Sequence, residues 1–128
     1  KYVQPTHEKI FSALIPTTPS ILFTKESPHL DLLLKSGASV LSVGNCIDLG
    51  QAKKQSPEMI FQGNIDNKIL ADGTKKEITQ AVRKCFEQSG RKNHILNLNH
   101  GLLERTPYEN VQHFVVVAKE LGRVKWGG

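Results

Sequence analysis

Short apolar segments alternate along the chain with segments whose apolar residues recur at helical spacing. The predicted strands are residues 20–24, 40–44, 59–64 and 94–100. A helix is predicted after each strand, and a leading helix, residues 5–14, comes before the first. This alternation predicts an α/β fold with a parallel sheet covered by helices. Because the strands are short and apolar throughout, we expect both faces of the sheet to be covered.

Capping and turn residues set the predicted helix boundaries. The predicted helix starts are Ser27 before Pro28, Asp48 with Gln51, Thr74 with Glu77, and Thr106 with Pro107 and Glu109. Glycines follow three helices, at Gly37, Gly90 and Gly122. The helix after Asp48 should stop before Pro57, and the stretch through Asp72-Gly73 is predicted to be a loop. One side of the leading helix is expected to carry Ile10, Phe11 and Leu14. The residues of the later helices that are expected to face inward are Leu30, Leu33, Leu34, Ile78, Ala81, Val82, Cys85, Phe86, Val111, Phe114, Val115, Ala118 and Leu121.

The length of the chain limits what this pattern can build. Its 128 residues, 38% hydrophobic and 23% charged, suit a packed globular domain. Four strand–helix units are about half of a (β/α)8 barrel, which takes roughly 250 residues. Periodicity alone leaves an open sheet and an arc of a barrel as alternatives. Because Lys1 opens the chain without an initiator Met, we expect a processed product or a fragment of something longer.

Composition and charge exclude several functional classes. No apolar run approaches the roughly 18 residues that span a bilayer, and no signal peptide opens the chain, so we expect no membrane partner. Two cysteines are too few for a disulfide framework, which favours a reducing compartment. The net charge is +5, but the basic residues are interleaved with glutamates on predicted helices, as on solvated helix faces. We therefore expect no nucleic-acid partner, while a positive field would favour an anionic small-molecule substrate.

Polar residues follow each predicted strand, at the edge where α/β folds bind ligands. The strands run into Thr24–Glu26, Gly44–Cys46, Gly63–Asp66 and Asn97–Gly101. We predict a substrate-binding edge that includes Gly63, Asn64, Asp66 and Asn99. The alternative is that Asn, Asp and Gly simply form loops after strands, and the sequence leaves both open.

His100 is the candidate catalytic residue. Between Asn99 and Gly101, it could donate a hydrogen bond or shuttle a proton near neutral pH, or it could be a loop histidine bonded to nearby backbone. Cys46 has no adjacent base in sequence and is expected to be a plain thiol. The histidines expected to be structural or solvent-facing are His7, His29, His94 and His113. We predict no metal site, because no Cys and His residues have metal-binding spacing, and no dinucleotide or phosphate-loop motif is found.

Two segments, Gln62–Asp66 and Asn97–Gly101, resemble motifs of the uroporphyrinogen decarboxylase family. The family has Q-G-N-[LIM]-D-P and, about thirty residues later, N-L-G-H-G. Residues 21–25 resemble its P-x-I-x-F-x-K strand, and the segment from Pro107 resembles its closing helix. The resemblance runs from about residue 1 to residue 121 and corresponds to the C-terminal part of the family.

The resemblance implies a (β/α)8 TIM barrel, of which residues 1–128 are the C-terminal half, with four β/α units and a leading helix. It implies cofactor-free decarboxylation of the four acetate side chains of uroporphyrinogen, giving coproporphyrinogen in haem and chlorophyll synthesis. His100 matches the family's active-site histidine, and the substrate would be an anionic tetrapyrrole. A cytoplasmic location is implied, or a plastid in a photosynthetic eukaryote.

The chain also departs from the family's motifs. Ser42–Asn45 replaces a G-L-D-W stretch, Asn67 replaces a proline, and Asn99 replaces a glycine. The family's arginine-rich segment and the aspartate that holds the pyrrole nitrogens belong to its N-terminal half and have no match here. The alternative function is a non-catalytic half-barrel module for binding or assembly. Because half a barrel exposes strand edges, we expect a homodimer or association with the missing N-terminal half.

Overall fold

The computed structural model describes residues 2–14 and 16–123, in which helices and strands alternate. The helices are α1 Val3–Ala13, α2 Leu30–Leu34, α3 Leu49–Gln55, α4 Asn67–Asp72, α5 Lys75–Ser89 and α6 Tyr108–Gly122. The strands are β1 Ile21–Phe23, β2 Val40–Ser42, β3 Ile60–Gln62 and β4 His94–Ile95. The predicted α/β alternation is confirmed, and each strand is shorter than the predicted one. Within the described residues, no helix is long and apolar enough to cross a membrane.

The strands form one parallel sheet in the order β1-β2-β3-β4. Leu41 pairs with Leu22 on one side and with Phe61 on the other, and Phe61 pairs with His94. Paired residues point to the same face of a sheet. Because crossovers between parallel strands are right-handed, a chain that always steps to the next strand places its helices on a single face.

The core lies between that face of the sheet and the helices. Leu41 and Phe61 are fully buried, and they pack in one cluster with Ile78 and Val82 of α5. The cluster also includes Cys85 and Phe86 of α5, and from the other helices Leu33, Leu49, Ala52, Leu70 and Val117. Burial of these side chains is the main stabilising contribution to the fold.

The opposite face of the sheet is open at its two outer strands. Ile21 and Phe23 of β1 expose 52% and 50% of their surface, and Ile95 of β4 exposes 42%. Val40 and Ser42 of β2, on the same face, are buried between their neighbours. The expectation that both faces are covered is therefore wrong for the described residues, because the sequential strand order keeps the helices on one face.

Two of the predicted helix starts are confirmed. The Asp48 side chain accepts a hydrogen bond from the Gln51 backbone N–H at 2.8 Å and caps α3. Thr74 and Glu77 form the predicted capping box of α5, with Glu77 accepting from the Thr74 N–H at 2.7 Å. The inward face of α5 is also confirmed, and Gly90 ends the helix in the left-handed region, with φ 64°.

The other two predicted starts are wrong. α2 is only five residues long and begins after His29, whose ψ of 60° is not helical, so neither Ser27 nor Pro28 opens it. α6 begins after Pro107, whose carbonyl oxygen accepts the first helical hydrogen bonds, and Thr106 does not cap it. On α6, Val117 lies in the core, while Val115, expected to be buried, exposes 42% of its surface.

Residues 67–72 and the leading helix differ from expectation as well. The stretch predicted as a loop through Asp72 contains α4, which Asp66 caps by accepting a hydrogen bond from the Lys68 N–H at 2.9 Å. In α1 no residue is buried, and Ile10 exposes 53% of its surface. Of the three residues expected on one side of this helix, Ile10, Phe11 and Leu14, only Phe11 packs against the core.

Candidate active site

Glu26 connects the carboxyl ends of three strands. It lies shortly after β1, and its Oε2 accepts a hydrogen bond from the backbone N–H of Cys46, which follows β2, at 2.9 Å. Its Oε1 accepts from the side-chain Nδ2 of Asn99, which follows β4, also at 2.9 Å. The two outer strands of the sheet are therefore linked at this edge through one carboxylate.

Gly44 leaves the space that the Glu26 carboxylate occupies. A Cβ at residue 44 would lie 2.5 Å from the Glu26 carboxyl carbon and would also collide with the carbonyl oxygen of Lys25. Because every other residue type carries that Cβ, the position of Glu26 depends on a glycine at the end of β2.

The hydrogen bonds keep Glu26 ionised. Partial burial acts to raise the pKa of Glu26, but the Cys46 N–H, the Asn99 side chain and the Asn45 N–H outweigh it and lower that pKa. Burial, and then the Glu26 carboxylate beside it, raise the pKa of the Cys46 thiol. At neutral pH this edge therefore holds a carboxylate next to a protonated thiol, which accords with the plain thiol expected for Cys46.

A pair of asparagines anchors the segment around His100. Asn99 is 9% exposed, and its Oδ1 accepts from the backbone N–H of Asn67 at 2.9 Å. Asn67 is 8% exposed, and its Nδ2 donates to the carbonyl oxygen of Gly101 at 2.8 Å. The residues on both sides of His100 are thus tied to the start of α4. Asn67 and Asn99 are two of the positions at which the sequence departs from the motifs it resembles.

His100 is exposed between these two anchored residues. Its Nδ1 accepts a hydrogen bond from the backbone N–H of Gly101 at 2.8 Å. The neutral ring therefore carries its proton on Nε2. The ring makes an edge-to-face contact with Phe23 of β1, with ring centroids 5.7 Å apart and planes at 65°. The backbone hydrogen bond expected of a loop histidine is present, and because it uses Nδ1, the Nε2–H group can still donate a hydrogen bond or a proton.

The other predicted site residues hold the strand ends together. Asn64 Nδ2 donates to the carbonyl oxygens of Gly44 and Ile47, at 3.0 and 2.7 Å. Gly63, at φ 119°, packs so closely on the Val43 carbonyl oxygen that a Cβ would lie 2.7 Å from it. Asp66 caps α4, as described above. These contacts give all three a local structural role, and substrate contact at them stays a prediction.

A groove of about 910 Å³ lies near this edge, between α3, α4 and α5. Its lining includes Cys46, Asn64 and Asp66, whereas Glu26 and His100 lie outside it. The predicted site residues are therefore divided between two places. Asn64 and Asp66 face the groove, while Asn99 and His100 lie with Glu26.

Glu26 is the residue of this site that the sequence did not single out. The available signal was its place directly after β1, matching the positions of the other polar residues after strands. Its contacts with residues 46 and 99 depend on the pairing order of the strands, which a single sequence does not reveal. Within the described residues, no three His, Cys, Asp or Glu side chains are grouped so that they could hold a metal ion.

Comparison with known proteins places this arrangement in a family. A model of the uroporphyrinogen decarboxylase family matches residues 1–121. A uroporphyrinogen decarboxylase of Trichodesmium erythraeum is 36% identical over 108 residues, which are 83% of this chain and 30% of that protein. The chloroplastic uroporphyrinogen decarboxylase 2 of Arabidopsis thaliana is also 36% identical over 108 residues, 83% of this chain and 27% of that protein.

A third relative extends the match further along the chain. The uroporphyrinogen decarboxylase of Nostoc punctiforme is 34% identical over 125 residues, covering 94% of this chain and 35% of that protein. The chain thus spans about a third of the length of the curated relatives it matches. The resemblance noted from its motifs is confirmed: the chain belongs to the uroporphyrinogen decarboxylase family.

Proposed function

We propose that the complete protein decarboxylates the acetate side chains of uroporphyrinogen to give coproporphyrinogen, with His100 handling a proton in the reaction. The observation that carries this proposal is the imidazole of His100, exposed at the carboxyl edge and held by Gly101 so that Nε2–H is presented. The relatives that match most of this chain are named as decarboxylases, and this supports an enzyme rather than the non-catalytic module.

The chemistry needs a proton donor. In each step the bond between the acetate methylene and its carboxylate breaks, carbon dioxide leaves, and the electron pair passes into the attached pyrrole ring. Protonation of the pyrrole ring makes it a better electron sink, and a second proton then converts the methylene into a methyl group. The ring releases the first proton as its aromaticity returns, so one proton is consumed for each carbon dioxide released. An imidazole exchanges protons near neutral pH, so His100 suits either transfer.

The net charge of the chain suits the substrate. Uroporphyrinogen carries several carboxylates, and a chain with seventeen basic and twelve acidic residues attracts such an anion over a distance. Glu26 and Asp66 are acidic residues at the edge itself, but both carboxylates already accept hydrogen bonds that offset their charge. Glu26 accepts from Cys46 and Asn99, and Asp66 accepts from the Lys68 N–H.

We further propose that residues 1–128 form the C-terminal half of a (β/α)8 barrel. Support comes from the sequential strand order, from helices on a single face, and from the link between the β1 and β4 ends through Glu26. The remaining part of a longer chain would cover the open face at Ile21, Phe23 and Ile95. Residues 1–128 expressed alone should then self-associate in sedimentation, and a stable, well-folded monomer would contradict the proposal.

The test of the reaction uses variants of His100 in the complete natural protein. We expect His100→Ala to lower kcat by roughly 100-fold or more, the usual range for a lost proton-transfer group. His100→Gln keeps a hydrogen-bond donor but cannot transfer a proton, so it should be as impaired as the alanine variant. His7→Gln, on α1, is the matched control and should retain wild-type activity. Full activity of His100→Ala would remove His100 from the mechanism.

A further inference from the structure

Glu26 accepts hydrogen bonds from groups that follow two different strands. Residues 26 and 99 are 73 positions apart in sequence and meet only because the sheet brings the ends of β1 and β4 to one edge. The bond to the Cys46 N–H fixes the carboxylate over the end of β2. Glu26 is thereby held at a defined place from which its Oε1 faces Asn99.

Both polar atoms of the Asn99 side chain are hydrogen-bonded within the protein. Asn99 is 9% exposed, its Oδ1 is taken by the Asn67 N–H, and its Nδ2 is taken by Glu26. Its backbone N–H also donates to the Ile65 carbonyl oxygen at 2.7 Å. Loss of the Glu26 carboxylate would leave a largely buried amide donor without its acceptor, which is costly enough to move the side chain.

Movement of Asn99 would reach His100 through the backbone. His100 is the next residue, and its ring orientation relies on the Gly101 N–H, while the Gly101 carbonyl is held by Asn67. The hydrogen bond to Nδ1 exists only while residues 99–101 keep this conformation. A free imidazole favours the Nε2-protonated form only modestly, so the placement of the proton on Nε2 alone depends on the same conformation.

We propose that Glu26 is a positioning residue for His100, acting through Asn99 to hold the segment 99–101 so that the imidazole presents its Nε2–H at the carboxyl edge. The proposal rests on the proposed function only where it concerns turnover. The link between Glu26 and the tautomer of His100 stands on the geometry alone. Hydrogen bonds lower the pKa of Glu26 and keep it ionised, so that both of its oxygens act as acceptors.

In the complete natural protein, Glu26→Ala should lower kcat by about 10- to 100-fold, the range expected when a reacting group is misplaced. KM should change little, because Glu26 acts on the orientation of His100 and not on substrate contact. Glu26→Gln keeps one carbonyl oxygen as acceptor and should restore part of the loss. Glu87→Gln, at an exposed position of α5, is the matched control and should behave as wild type.

A double-mutant cycle shows whether Glu26 works through Asn99. Glu26→Ala and Asn99→Ala should each lower kcat, and the double variant should be no worse than the more impaired single variant. Additive losses would overturn the proposed route. If Glu26→Ala fails to fold, Glu26→Gln, which has the same shape, is paired with Asn99→Ala in the same cycle.

The deciding measurement is the 15N spectrum of His100 in protein labelled at histidine nitrogens, assigned with His100→Gln. The wild type should show the neutral ring with Nδ1 unprotonated and Nε2 protonated, and Glu26→Ala should show a mixture of both tautomers. An unchanged His100 spectrum in Glu26→Ala overturns the positioning role. An inactive wild type with this tautomer shift refutes the proposed function and leaves the positioning role intact.

Discussion

The backbone N–H of Asn67 donates to the side-chain oxygen of Asn99 across 2.9 Å, joining the start of α4 to the residue before His100. A proline at 67 would lack this donor, and a glycine at 99 would lack the acceptor. The two departures from the motifs that the sequence resembles are thus two halves of one contact. Their coupling gives the first prediction.

Asn67→Pro should destabilise the chain by about 1–3 kcal/mol, because the buried Asn99 oxygen loses its partner and the Gly101 carbonyl oxygen loses the Asn67 side chain. The helix itself tolerates the change, since Asn67 is the first residue of α4 and Asp66 is extended with ψ 120°. The double variant Asn67→Pro with Asn99→Gly should be less destabilised than the sum of the single variants. Denaturant unfolding of the three variants measures this, and simple additivity would show that the contact carries no energy.

Gly44→Ala should displace Glu26 and break its hydrogen bonds. The added Cβ would meet the Glu26 carboxyl carbon at 2.5 Å and also the backbone of Lys25, which cannot rotate away as a side chain could. We expect a cost of about 1–3 kcal/mol in denaturant unfolding, as for an overpacked site. Gly50→Ala, in α3, is the control, because the nearest side-chain atom to a Cβ at residue 50 would be Asp48 Oδ1 at 3.3 Å. Equal stability of both variants would show that the space at Gly44 is not needed.

Lys53 should stabilise the opposite edge of the sheet. Its Nζ donates to the carbonyl oxygens of Pro57 and Met59, at 2.9 and 3.1 Å, next to the start of β3. Lys53→Met removes both bonds and should cost about 1–3 kcal/mol. Lys54→Met, at the exposed neighbouring position, makes the same substitution and should have little effect. A ranking in the reverse order, measured by thermal unfolding, would contradict this role.

His94 should make stability fall as the pH is lowered. Burial, and then the charge of Lys53, lower the pKa of His94, against the opposing effect of the hydrogen bond that its Nε2 donates to the Gly63 carbonyl oxygen at 2.6 Å. The unfolded chain therefore binds a proton at a higher pH than the folded chain. Stability is full above the unfolded value of about 6.5 and is lost progressively below it, down to the lowered folded pKa.

The variant His94→Gln should flatten this dependence. Glutamine keeps a donor that can reach the Gly63 carbonyl oxygen but does not titrate. Denaturant midpoints at pH 7.5 and 5.5 should therefore differ less for the variant than for the wild type. His7→Gln is the control and should leave the difference unchanged, and an identical pH difference in His94→Gln would remove His94 as its source.

The elements that the sequence predicted well are those whose signals are local. The capping box at Thr74 and the αL glycine at Gly90 need only neighbouring residues, so both ends of α5 are as expected. Asp48 opens α3 for the same reason. The failed start at Thr106 shows the limit, since Pro107, with its extended ψ of 137°, takes the capping position itself.

The candidate site was predictable in its location but not in its contacts. Polar residues after strands indicated the edge, and His100 is exposed there. The role of Glu26 was not predictable, because its partners Cys46 and Asn99 are set by strand order and by the space at Gly44. Likewise Asn64, which looked like a ligand-binding residue, uses its amide to bond two backbone carbonyl oxygens.

The central claim is that the complete protein decarboxylates uroporphyrinogen. The most direct measurement incubates it anaerobically with uroporphyrinogen, follows carbon dioxide release, and identifies the tetrapyrroles after oxidation. We predict that coproporphyrinogen accumulates, with four molecules of carbon dioxide released for each. Unchanged uroporphyrinogen in the presence of well-folded complete protein would contradict the claim.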